Sequence, residues 1–156
     1  MKRILFVDLR NTSRSQMAEA WFNQFAEGWA KASSCGTMPA VMPDPLMLQV
    51  MQEVGMDGRG LLPKPINNTL LLQADIVVLM GKDIFPGAFT PDYIWDFQDP
   101  TGKDILHYRV QRDASRIRVQ ELIVELQRKR FDATRTDWIH PALLQRELMT
   151  QWMLRS

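Results

Sequence analysis

Short unbroken apolar runs alternate along this chain with longer segments whose apolar residues recur every three or four positions. "RILFV", residues 3 to 7, is one such run, and its continuity predicts a strand buried on both faces. A polar stretch follows, and then Met17, Ala18, Trp21, Phe22 and Phe25 fall on one face of a helix that Gly28 ends. Ser15 is positioned to cap that helix, since its hydroxyl can accept from a free amide of the first turn. "WAKASSCG" reads as a second strand, closed by Gly36.

The punctuation beyond it is plain. Asp44 as N-cap, Pro45 at the first helical position and Gly55 past the end delimit a helix in "MPDPLMLQVMQEVG". "LLPKPI" is a loop, Asn68 to Gln73 a short helical segment, "ADIVVLM" a strongly buried strand and "YIWDF" a fourth strand. A long helix is expected from about Asp104 to Arg130, with Val110, Ile117, Leu122, Ile123 and Leu126 turned inward. Strands alternating with helices specify an α/β fold, a four-stranded parallel sheet flanked by helices. "DWIHPALLQRELMTQWMLRS" adds an extra C-terminal helix with Leu144, Leu148 and Trp152 on one face. The expected organisation is a main domain over 1–132 and a helical extension over 133–156, with a homodimer contact through the extension.

Composition narrows the class. The 156 residues are 46% hydrophobic and 24% charged, as in a folded globular chain, and a net charge of +1 argues against nucleic acid or an acidic membrane as partner. One cysteine, Cys35, excludes an internal disulfide framework and a cysteine-built zinc site. His107 and His140 stand in unrelated settings, so neither a metal nor any other cofactor is expected. The N-terminal apolar run is too short for a signal peptide and no later run has the length of a membrane span, so the expected location is cytoplasmic.

The chemistry concentrates in "FVDLRNTSRSQMAEAW". In an open α/β sheet, ligands bind at the C-terminal ends of strands, where helix N-termini point. The loop from Asp8 to Ser15 occupies that place after the first strand, and its free amides and the helix dipole favour an anion. Arg10, Asn11, Thr12, Ser13, Arg14 and Ser15 are the candidate anion-binding residues, with Arg14 offering a planar fork for two oxygens. The loop lacks the Gly-Lys-Ser/Thr of a Walker loop and the three glycines of a dinucleotide fingerprint.

This segment resembles the first strand, phosphate loop and first helix of the low-molecular-weight protein tyrosine phosphatases and their relatives, the thioredoxin-coupled arsenate reductases. The family's loop is Cys, five residues, Arg, Ser; here it is Asp8, five residues, Arg14, Ser15, with Asn11 at the place of the family's loop-bracing asparagine. "SQMAEAW" is close to the arsenate-reductase wording. "SSCGTMPA" resembles the second strand and its turn, "GLLPKPI" the connection before the third helix, and "WDFQDPTGKD" the loop of the general-acid aspartate. That resemblance implies a general acid at Asp99, before Pro100; read alone, Asp-Pro is also a common turn pair. It covers residues 2 to 130 and implies a small oxyanion ligand such as phosphate, sulfate or arsenate.

Three departures bear on function. Asp8 stands where the family needs a cysteine thiolate, and a carboxylate is both a poorer nucleophile and a like charge for the ligand. At an effective dielectric of ~20, two unit charges ~4 Å apart repel by about 4 kcal/mol. Arg10 stands where the family commonly has glycine, and strains the loop if the backbone there needs positive φ. "MGKDIFPGAFTPDYIW" holds neither cysteine of the reductase relay. The expectation is a degenerate anion loop in which Asp8 pairs with Arg14 or Arg10, in a binding or regulatory protein without the family's thiolate catalysis. One alternative is an active phosphatase using Asp8 as nucleophile or metal ligand, a faint echo of Asp-x-Asp-x-Thr; another is a structural dimer with a vestigial pocket.

Overall fold

The computed structural model describes residues 1–84, 87, 89–137, 149 and 152–154. Four strands, β1 (Lys2–Asp8), β2 (Ala30–Gly36), β3 (Ile76–Leu79) and β4 (Tyr93–Ile94), form one parallel sheet in the order β2-β1-β3-β4. The helices are α1 (Arg14–Phe25), α2 (Pro45–Glu53), α3 (Asn68–Gln73) and α4 (Ile105–Asp137). The expected α/β architecture is therefore the observed one. The chain divides into two units, Met1–Glu121 and Leu122–Ser156.

In the first unit β1 is the central strand, paired from Lys2 against Ala30 to Asp8 against Gly36 on one side and from Ile4 against Ile76 on the other. Its alternation sorts the core. Leu5 and Val7 join Cys35, Val77, Leu79 and Ile84 on one face, with Leu70 and Leu71 of α3 packed against them. Phe6, on the other face, meets Phe22 edge-on at 6.1 Å between ring centroids and Trp95 at 5.7 Å. A fully buried phenylalanine contributes roughly 2–3 kcal/mol, so this cluster holds α1 to the strand that carries Asp8.

The caps agree with the sequence at α2, where Asp44 accepts from the Leu46 amide ahead of Pro45. At α1 they differ. The helix starts at Arg14 with Ser13 at the capping position, and Ser15 lies within the first turn. Ser15's hydroxyl is drawn instead into the loop, where it accepts from Asn11.

The inward face of α4 also differs from expectation. Val110 is 70% and Ile117 54% exposed, while Tyr108, Ser115 and Val119 are buried. Tyr108 donates its phenol to Asp44, a partner that lets a polar-tipped ring replace an aliphatic one inside. In the second unit Leu122, Ile123 and Leu126 are buried as expected. Leu144 and Leu148 lie outside the described residues; Met149 and residues 152–154 are helical, with Trp152 exposed. Among the described residues no helix is long and apolar enough to cross a membrane.

Candidate anion-binding site

β1 ends in the sheet interior, so the loop that leaves it inherits a buried start: Asp8 is 2% exposed. Its carboxylate closes back on the loop. Oδ1 accepts from the Asn11 amide at 2.6 Å and Oδ2 from the Ser15 amide at 2.9 Å. One loop amide and one amide of the first turn of α1 thus hold the side chain of the residue that begins the loop. Burial pushes the Asp8 carboxyl above its ordinary value; the Ser15 amide and hydroxyl, Arg14 and the Asn11 amide pull the other way without cancelling it.

Asn11 braces the loop from its centre. Its φ is 55°, the left-handed region that asparagine tolerates better than most residues. The side-chain amide donates to Ser15 Oγ at 2.7 Å and Ser34 Oγ at 2.9 Å, and its oxygen accepts from the Lys64 amide at 2.9 Å. Ser34 passes the chain outward to Glu19 at 3.1 Å. Arg10 is exposed and does not take a positive φ, so the strain anticipated there is absent; the left-handed position falls one residue later.

Two neighbouring segments complete the cradle. The amides of Thr37, Met38, Ala40 and Asp44 donate to the carbonyls of Asp8, Leu9, Arg10 and Thr12. This contact requires Gly36, because a Cβ there would lie 2.7 Å from the Leu9 oxygen and 2.9 Å from the Asn11 nitrogen. Thr12 is half-buried, whereas Ser13 is buried with its hydroxyl unpartnered.

Arg14 departs from the expected ion pair with Asp8. Its guanidinium reaches across the ends of β3 and β4, where Nη1 and Nη2 grip Asp83 at 2.8 and 3.2 Å. Nη1 also meets the carbonyls of Phe97 at 2.9 Å and Met80 at 3.3 Å. The physical reason is reach. Both Asp8 oxygens are already engaged by amides of the loop and of the first turn of α1, and the guanidinium of the first helical residue lies toward the segment after β3. Gly81 makes room for the crossing, since a Cβ there would sit 2.3 Å from Arg14 Nη1.

Asp99 is half-buried and accepts from the Thr101 amide at 3.0 Å and the Thr101 hydroxyl at 2.6 Å. Burial raises its carboxyl, but Thr101, then Arg14 and Arg10, outweigh burial and hold it below its ordinary value. A hollow of about 400 Å³ opens beside it, lined by Phe97, Pro100, Leu106, His107 and Val110 among others. Cys35, under the loop in register with Val7, is pushed up to about 12 by burial and by the charge of Asp8. Among the described residues no three His, Cys, Asp or Glu side chains are grouped so as to hold a metal ion.

Sequence reasoning missed Asp83, Ser34, Glu19 and Lys64. Asp83 follows a buried strand at its C-terminal end, the edge where ligand-facing groups collect, and that signal was there to be read.

The profile of the low molecular weight phosphotyrosine protein phosphatases matches residues 3–132, and the chain belongs to that family. It is 31% identical over 131 residues to a glutaredoxin arsenate reductase of Synechocystis sp., across 81% of this chain and 99% of that one. An arsenate reductase of Staphylococcus aureus is also 31% identical, across 77% of this chain and 95% of the relative. Among solved structures, an arsenate reductase in its phosphate-binding state superposes with a TM-score of 0.73 at 31% identity, covering 80% of this chain and 98% of the other. The YwlE arginine phosphatase of Geobacillus stearothermophilus gives the same TM-score at 25% identity, covering 85% and 97%.

Proposed function

We propose that this chain is a non-catalytic member of its family, a binding or regulatory protein whose anion loop is filled by its own aspartate. The carrying observation is the seating of both Asp8 oxygens on the Asn11 and Ser15 amides. Those amides are the donors an incoming oxyanion would use, and a carboxylate buried on them offers neither a thiolate nor free space. Burial that raises the Asp8 carboxyl disfavours the ionised form a nucleophile needs, which weighs against the aspartyl-phosphatase alternative. Asp99 is held below its ordinary value by Thr101, the direction opposite to the one that suits a general acid. Cys35, pushed up to about 12, supplies no replacement thiolate.

The ligand class that fits the loop is still a small oxyanion, phosphate, sulfate or arsenate, bound weakly against the resident carboxylate. The test is turnover by the purified protein. Arsenate reduction with thioredoxin or glutaredoxin coupled to NADPH oxidation, and hydrolysis of p-nitrophenyl phosphate, are both expected at the level of the blank. Turnover in either assay overturns the reading. Asp8→Cys should raise phosphate affinity, because a fixed carboxylate gives way to a thiol that can take up a proton when the anion enters. Arg10→Gly should add nothing to that gain, since Arg10 does not strain the loop.

A further inference from the structure

We infer that Asp83 is a tethered competitor for the guanidinium of Arg14 and so sets how strong an anion must be to enter the loop; this deepens the proposed reading of the same site and rests on it. An arginine at the head of an anion loop offers two parallel N–H groups to a pair of oxygens. Here that pair is supplied from within, by the two carboxylate oxygens of Asp83 at 2.8 and 3.2 Å. The loop amides hold Asp8, so each half of the site, amides and fork, carries a carboxylate of the chain itself.

The two carboxylates are not equivalent. Arg14 is 3% exposed, whereas the Asp83 side chain is 46% exposed. Rotating Asp83 away returns it to water and leaves no buried charge behind on its side of the pair. Arg14 would stay in place, because the carbonyls of Phe97 and Met80 still hold Nη1 and Gly81 leaves its path clear. The geometry is that of a gate worked by one side chain on a stationary arginine.

A group tethered by a short flexible link competes at an effective concentration on the order of millimolar. A ligand must exceed that local carboxylate, which favours a dianionic tetrahedral oxyanion over a free carboxylate. A residue that merely positions Arg14 would have the opposite signature: its loss would loosen the arginine and weaken the anion.

The sign of the change therefore decides. Inorganic phosphate is titrated by calorimetry and by amide chemical shifts into the wild type, Asp83→Asn, Asp8→Ser and the double variant Asp8→Ser/Asp83→Asn, with Asp83→Ser as a second replacement of the gate. Removing the Asp83 charge should tighten phosphate about tenfold in both backgrounds. No change, a weakening, or no binding by any of the variants overturns the gate. Asp8→Ser separates the two ideas. If it fails to improve on the wild type while Asp83→Asn does, the self-filled amide cradle is wrong and the gate stands; the reverse pattern removes the gate alone.

Discussion

Asp8 and Asp83 bring the same group to two halves of one site, in opposite surroundings. Asp8 is buried and held by two backbone amides of the loop it begins. Asp83 is half-exposed and held by a side-chain cation 69 positions away in sequence. Burial opposes the charge of Asp8, whereas water still solvates Asp83 and screens its attraction to Arg14. One is built into the loop's shape; the other rests on its surface. On the proposed reading, the difference separates what the fold needs from what a ligand can displace.

The largest effect should come from the buried half. Asn11→Ala removes the donors to Ser15 and Ser34, orphans the Lys64 amide, and leaves alanine at φ 55°. An orphaned, partly buried donor, the lost bonds to two buried hydroxyls and the left-handed backbone together cost about 3 kcal/mol, read as a fall in the urea midpoint. A loss below about 1 kcal/mol would mean that the loop does not depend on this brace.

Next in size is the guanidinium. Arg14→Lys keeps the charge and loses the fork, leaving the Phe97 or Met80 carbonyl poorly paired in a buried setting. A decrease of about 2 kcal/mol is expected, and a neutral result would show that the fork is not what joins the loop to the β3 end.

Arg14 or Arg10, not the loop amides, was the expected partner of Asp8; the anion loop itself was legible because strand, loop and helix N-terminus lie within a few residues of one another. So were the caps of α2 and the span of α3, which rest on neighbouring side chains. The partner of Arg14 was not. Reach and competition decide it; the place of Asp83 after β3 marks it as a site residue but not as the partner of Arg14. On α4, Val110 and Ile117 form one row, seven apart, and Tyr108, Ser115 and Val119 another, at spacings of seven and four; the second row is the buried one, and Tyr108 there meets Asp44. Counting aliphatic residues favoured the wrong one.

Acid titration sharpens the contrast. Because the folded Asp8 carboxyl lies above its ordinary value, its contribution to stability is fully present below 3.8 and is lost as pH rises through the raised value. Asp8→Asn cannot titrate. It carries a constant penalty from its NH₂ facing a backbone donor, so the informative quantity is a slope. The stability of the wild type relative to Asp8→Asn should decline from pH 3.5 toward neutrality, by thermal melts in matched buffers. Glu19, also raised by burial, is common to both proteins and cancels. A wild type that gains on the variant with rising pH would mean that the amides overcome burial, and the contrast with Asp83 would narrow.

The smallest effect should belong to Asp83. Its pair with Arg14 is bidentate, which argues for a real interaction, but a half-exposed carboxylate loses little hydration in making it and recovers that hydration when released. The asparagine of Asp83→Asn keeps an acceptor for Nη1, and the Phe97 and Met80 carbonyls remain on the same nitrogen. Arg14 therefore stays hydrogen-bonded after the charge is gone. The stability change should stay within about 1 kcal/mol and shrink further at high salt, where the lost attraction was already screened. Urea unfolding of wild type and Asp83→Asn at low and high ionic strength measures both quantities. A loss above about 2 kcal/mol that salt does not reduce would make Asp83 a pillar of the fold like Asn11. It could not then swing aside for a ligand, and the two carboxylates would differ only in exposure.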